Sequence, residues 1–189
     1  GGNPNLLVDS PNNIGELTQL EFLSIWNTRA NGGEFPEGIY NLTNLYGLDL
    51  SDQLFTGVID ERIGNLTNLN SLYLRNNLFE GAFPIEITSA QNLNTFDISY
   101  NTFNFLPDIS TLPNLQMVNL AFNQLQFESL LPYLGVSNFT YSPQRNIGAP
   151  SDIEVAIGAS QNISSDLVQF DNSNYQWILN GDSLTNANS

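Results

Sequence analysis

Residues 69–77 read L-N-S-L-Y-L-R-N-N, and the frame inside that stretch, L-x-x-L-x-L-x-x-N, decides the fold. With small substitutions the frame recurs five times in all, opening at Leu20, Leu45, Leu69, Leu93 and Leu115, in nearly even steps that shorten towards the end. A regular period of this length marks a solenoid, in which each unit leaves one apolar face bare until its neighbour covers it. The chain therefore reads as a stack of rungs, and its function belongs to the surface that the stack presents.

Within each rung, Leu23 and Ile25, Leu48 and Leu50, Leu72 and Leu74, Phe96 and Ile98, and Val118 and Leu120 alternate with polar or variable residues. That is the period-2 signal of a short strand with one buried face. Just beyond each pair runs a polar column: Thr28, Gln53, Asn77, Asn101 and Asn123. A buried amide there can satisfy the backbone N–H and C=O groups left open where the chain turns out of the strand. Thr28 and Gln53 depart from Asn, which predicts looser turns in the first two rungs. Phe55, Phe79, Phe103 and Leu125 form a further column, expected to fill the wider side of each coil. Phe35 with Pro36, Gly57, Gly81, and Phe83 with Pro84 then lead back along the far side, where proline suits an irregular or extended segment.

The phrase I-G-N-L-T-N-L at 63–69, with I-G-E-L-T-Q-L at 14–20 and I-Y-N-L-T-N-L at 39–45, resembles the leucine-rich repeat of the plant-like type, about 24 residues long. The resemblance covers residues 14–127. It implies an α/β repeat solenoid, mostly β and right-handed, with parallel strands on a concave side and short turns or 3₁₀ pieces on the convex side. It implies recognition and names no ligand, because one fold hosts many partners.

Composition narrows the setting. Nineteen acidic residues stand against four basic ones, with no His and no Cys, for a formal charge of −15. Nucleic acid and anionic membrane surfaces both require a basic footprint that is missing. No apolar run approaches the roughly 18 residues needed to span a bilayer. Lack of cysteine removes thiolate chemistry and the paired-cysteine caps usual in extracellular repeats of this family. Together with the acidity, this points to a bacterial secreted or surface protein, and the phrase N-F-T-Y-S-P-Q at 138–144 resembles one that closes such arrays in secreted proteins of the Bacteroidetes.

Four segments are expected. Residues 1–16 read as a cap or partial repeat, with Ser10 and Pro11 at the Phe–Pro position, so the stretch resembles the tail of a preceding unit. Residues 17–127 carry the five repeats. Residues 128–149 form a capping unit, in which Leu130, Leu131 and Leu134 predict a short helix. Phe139, one shortened step after Val118, then predicts a sixth strand. In residues 150–189 the portion Y-Q-W-x-x-N-G-x-x-L, from Tyr175 to Leu184, resembles one strand and turn of an immunoglobulin-like domain. That resemblance implies a buried Trp177, close to Ile153 or Val155. A partial sandwich has an open edge, so self-association through 151–189 is expected, with a short β-extension as the alternative.

Ligand-binding candidates are the outward residues of the strands and their flanks: Phe22, Trp26, Tyr46, Asp49, Asp52, Tyr73, Arg75, Asp97, Tyr100 and Phe122. Aromatic side chains and arginine dominate binding hot spots, and strand spacing sets them on a regular grid. They suit a protein ligand first and a glycan second; packing only among themselves is the structural alternative. A spacer or adhesion-stalk role is the second functional reading, and a glycan-active enzyme the third. Asp49 and Asp97 would lie about 9.6 Å apart by strand spacing, but Tyr73 stands between them and an open sheet excludes no water. No catalytic residue is therefore assigned. No cofactor is expected, and no metal, since no run fits a calcium loop. N-x-[ST] sequons occur at Asn41, Asn65, Asn138 and Asn162, the first two being part of the repeat phrase itself.

Overall fold

The computed structural model describes residues 13–25, 32–126, 129–144, 178–179 and 182–183. The chain divides into two units, Gly1–Ile153 and Glu154–Ser189. In the first, six short strands form one parallel sheet in the order β1 (Phe22–Ser24), β3 (Gly47–Asp49), β5 (Ser71–Tyr73), β7 (Thr95–Asp97), β9 (Met117–Asn119) and β10 (Asn138–Thr140). Their central residues pair in one row, Leu23, Leu48, Leu72, Phe96, Val118 and Phe139. The expected sixth strand is thus β10, with Phe139 opposite Val118.

Leu48, Leu72 and Phe96 belong to one buried cluster with Leu50, Leu74 and Ile98. Stacking alone can bury all of these sets at once, because a single rung has apolar surface on both sides. Phe79 lies between Phe55 and Phe103, with ring centroids 6.3 and 6.2 Å away, which fills the wider side as the spacing predicts.

The polar column is a ladder of bridging amides. Asn77 Nδ2 donates to Leu50 O of the preceding rung (2.9 Å) and to Leu74 O of its own (3.0 Å), while its Oδ1 accepts from the N–H groups of Gln53 and Phe55. Asn101 and Asn123 repeat the arrangement with Leu74 O and Ile98 O. Gln144 extends it: Nε2 donates to Leu120 O (2.8 Å) and Oε1 accepts from Leu125 N–H (3.1 Å). Gln53 differs, as its Nε2 donates to Ser51 O and Asp52 O within its own turn. Thr28 lies outside the described residues. Among those described, no buried side-chain nitrogen or oxygen lacks a partner.

A second parallel sheet, absent from the sequence reading, runs beside the first: β2 (Gly33–Glu34), β4 (Phe55–Gly57), β6 (Leu78–Ala82) and β8 (Thr102–Phe105). Gly57 and Gly81 hold φ of 85° and 76° within it, a conformation that glycine adopts without a Cβ penalty. The far side is made of 3₁₀ turns at Asn13–Glu16, Glu37–Asn41, Glu61–Asn65, Ile85–Ser89 and Leu131–Gly135. The last of these is the short helix expected near residue 130, in 3₁₀ form. Glycine in the I-G-x-L phrase has a packing cause. A Cβ on Gly64 would meet Glu86 Cβ at 2.8 Å and Glu86 O at 3.0 Å, and one on Gly15 would meet Gly38 O at 2.7 Å. Two buried tyrosines also tie turns together. Tyr40 Oη accepts from Asp60 N–H (3.0 Å), and Tyr133 Oη accepts from Ile109 N–H (3.1 Å). Burial drives both phenols upward, Tyr40 to about 12.

In the second unit, β11 (Ile178–Leu179) pairs antiparallel with β12 (Asp182–Ser183). Tyr175, Trp177, Ile153 and Val155 lie outside the described residues, as does the segment 1–12.

Candidate functional site

The outer face of the six-stranded sheet is built by alternation: when Leu48 and Leu72 turn inward, Asp49 and Tyr73 turn outward. Ser24, Asp49, Tyr73, Asp97 and Asn119 pair in one row, so Tyr73 stands between the two carboxylates. The row is partly committed to the backbone. Asp49 Oδ1 accepts from Ser51 N–H (3.0 Å), and Asn119 Oδ1 from Ala121 N–H (3.3 Å). Asp97 goes further. It is only 9% exposed, and it accepts from Ser99 N–H (3.0 Å), Ser99 Oγ (2.6 Å) and Asn119 Nδ2 (3.3 Å). Its carboxylate closes a turn and faces a neighbouring rung, so it is not presented as the sequence reading expects. Period-2 alternation places a residue on a face but does not say whether its neighbours cover it.

Past the strands runs a second row, Asp52, Asn76, Tyr100 and Phe122, all with positive φ (60°, 55°, 57° and 58°). Asp and Asn adopt this left-handed conformation readily, whereas bulky aromatic residues do so at a cost of roughly 1–2 kcal/mol each. Asn76 Nδ2 donates to Asp52 Oδ1. Tyr100 and Phe122 stack with centroids 4.1 Å apart and planes at 16°, and Tyr100 is exposed. Arg75 is exposed beside this row. Trp26 lies outside the described residues.

The remaining candidates sit at the other end of the strands. Phe22 and Met117 share a row with Gly47, Ser71 and Thr95, and Tyr46 immediately precedes that row. Phe22 and Tyr46 nevertheless meet, edge to face, at 5.4 Å. The candidates thus fall into two groups. Phe22 and Tyr46 occupy the leading edge in the first two rungs, and Tyr100 and Phe122 the trailing edge in the fourth and fifth.

Sequence reasoning missed the amides beside Phe22 and Tyr46. Asn44, Asn68 and Asn92 recur once per repeat and line an open depression of about 550 Å³ with Gln19, Glu21 and the two rings. The N-L that opens each of these repeats, within T-N-L at 43–45 and 67–69 and Q-N-L at 91–93, carries that signal, but it reads as repeat template. Among the described residues, no group of three or more acidic side chains is placed to hold a metal ion, and no helix is long and apolar enough to cross a membrane.

No family model matches the sequence, and no curated protein does. Solved structures do. The plant ice-binding protein is 31% identical over 55% of this chain and 34% of its own, with a TM-score of 0.53. The Arabidopsis receptor kinase HAESA, solved with the peptide hormone IDA and the co-receptor SERK1, is 29% identical over 71% of this chain and 23% of its own, with a TM-score of 0.63. The fold is a mostly β leucine-rich-repeat solenoid. The structure PEPR1–AtPEP1 is 28% identical over 60% of this chain and 17% of its own, with a TM-score of 0.55. The chain spans only about a sixth to a third of the length of these solved proteins.

Proposed function

We propose that this leucine-rich-repeat chain is a non-catalytic extracellular recognition module that binds a polypeptide on the outer face of its six-stranded sheet. The observation that carries the reading is the Tyr100–Phe122 pair, two stacked aromatic rings held in a left-handed backbone conformation. Local strain of this kind persists where the surrounding structure over-determines it, and it clusters at functional sites. Tyr73, Asp49, Asp52 and Arg75 supply polar contacts and a further ring on the same face. The likeness to HAESA in complex with a peptide hormone supports a polypeptide over other ligands. Strong acidity and the lack of cysteine support a secreted or surface protein, bacterial in type although the solved relatives are plant proteins. We read residues 150–189 as part of an immunoglobulin-like domain whose open edge pairs with a second copy.

Panning a displayed library of random linear peptides on the protein tests the binding face. Expected are peptides whose affinity falls at least about tenfold on the double variant Tyr73→Ala, Tyr100→Ala. Recovery of no peptide, or equal retention by wild type and double variant, sinks the proposal. Light scattering on the whole chain and on a chain ending at Gln144 tests self-association; equal monomeric masses would refute it.

A further inference from the structure

At the leading edge of the stack, away from the Tyr100–Phe122 platform, the aromatic and amide side chains make a second surface of different chemistry. Phe22 and Tyr46 are 63% and 44% exposed, large values for aromatic rings in a folded rung. Their centroids lie 5.4 Å apart with planes at 60°, so one ring shows its face beside the other's edge. Gly47 makes this arrangement fit, since a Cβ there would meet Phe22 Cδ1 at 2.9 Å. Beside the rings, on the second to fourth rungs, lie Asn44, Asn68 and Asn92. Asn44 Nδ2 donates to Thr18 O (2.9 Å) and Asn68 Nδ2 to Thr43 O (3.0 Å). Those bonds pin both carboxamides while each Oδ1 keeps no partner among the described residues. Together these groups line the depression of about 550 Å³.

We propose that this edge is a binding groove for an extended, neutral, β-linked pyranose chain. Three physical arguments converge on that class. A pyranose presents a face of C–H groups that stacks on an aromatic ring and a rim of hydroxyls that donate to and accept from amides, and the groove supplies both. The second argument is spacing. Successive rungs are about 4.8 Å apart, whereas an extended polypeptide repeats the same face only every second position, about 6.7 Å. A peptide crossing the rungs falls out of step with the asparagine row, while an extended β-1,4-linked pyranose chain, which turns each ring over relative to the last, returns the same face at roughly every second rung. The third is charge. Glu21 lies in the groove and the whole chain carries −15, so acidic polysaccharides are repelled and a neutral chain is not. The groove stands independently of the polypeptide reading for the outer face, which uses other residues, within the strands and at the opposite edge.

Titration calorimetry with cellohexaose decides the matter, with maltohexaose as the coiling α-linked control and a galacturonic acid hexamer as the anionic one. Wild type is expected to bind cellohexaose at least about tenfold more tightly than either control. Tyr46→Ala is expected to weaken it about tenfold, the loss of one stacking ring, and Asn68→Ala to weaken it by a smaller factor. Tyr100→Ala is expected to leave it unchanged. If Tyr46→Ala lowers the melting temperature, Phe22→Ser at the more exposed ring provides the same test. Failure of wild type to bind cellohexaose overturns the proposal, as does equal affinity for the anionic hexamer or undiminished binding by the ring variants. A panned peptide that loses affinity on Tyr46→Ala while cellohexaose does not bind would assign the groove to a polypeptide instead.

Discussion

Asn76 and Asn77 are neighbours in the chain and members of two adjacent columns that follow different rules. The inner column, Asn77, Asn101, Asn123 and Gln144, is buried and keeps one chemistry throughout, because each amide bridges two rungs by filling both a carbonyl and an N–H vacancy. The outer column, Asp52, Asn76, Tyr100 and Phe122, keeps one backbone conformation and changes its side chain. Where the fold sets the requirement, the residue is fixed. Where it sets only φ, the short polar residues that suit φ give way to aromatic rings that do not. The rings at 100 and 122 stack on each other in this strained conformation, which is why the proposed binding face is placed there.

The comparison can be broken most severely from the inner side. Asn101→Leu removes donors to Leu74 O, Ile98 O and Ser99 O and the acceptor of Phe79 N–H. Leaving several buried backbone groups unsatisfied at ~1–3 kcal/mol each should destabilise by about 4 kcal/mol. A urea midpoint barely different from wild type would contradict the bridging role. Leu72→Ala, at a wholly buried position, should cost about 3 kcal/mol; a loss under about 0.5 kcal/mol would deny that Leu48, Leu72 and Phe96 share one core.

On the turn side the same logic applies through pH. Tyr40 is buried and its phenol is raised from 10.0 to about 12, chiefly by desolvation. The folded state holds that proton more tightly than the unfolded chain, so its contribution is complete below pH 10 and is lost as pH rises towards 12. Stability should therefore step down across that window, by up to about 2.5 kcal/mol for a shift of this size. Tyr40→Phe should shrink the step, and an unchanged alkaline profile in the variant would place its cause elsewhere. Gly64→Ala should cost about 2 kcal/mol, since the new methyl meets Glu86 backbone. Gly135→Ala, with nothing within 4 Å of its Cβ, is the matched control and should stay near wild type. Smallest of all is Tyr100→Asn. Relief of the left-handed aromatic, ~1–2 kcal/mol, opposes loss of the Phe122 stack, ~0.5–1.5 kcal/mol, so the melting curve should hardly move while peptide binding is lost. A large drop in stability would show that the ring belongs to the fold after all.

Periodicity alone determined the rungs, the inward rows, the amide bridges at 77, 101 and 123, and β10 opposite Val118, because a residue that must be buried in every copy leaves a repeating mark in the text. The same rhythm also located the outward candidates. Tertiary structure decided what a single repeat cannot encode. It recruited Gln144 to the amide ladder although the step from Asn123 falls short of a full repeat and the side chain lengthens by a methylene. It paired short segments into a second sheet, whose sequence trace in β4 and β6 is a glycine two residues after a phenylalanine and which in β8 carries no glycine at all. It turned Asp97 into the partner of Ser99 and Asn119, and it set Phe22 against Tyr46 beside the asparagine row. These outcomes depend on which side chain of the next rung arrives within reach, and that distance is fixed only when the rungs stack.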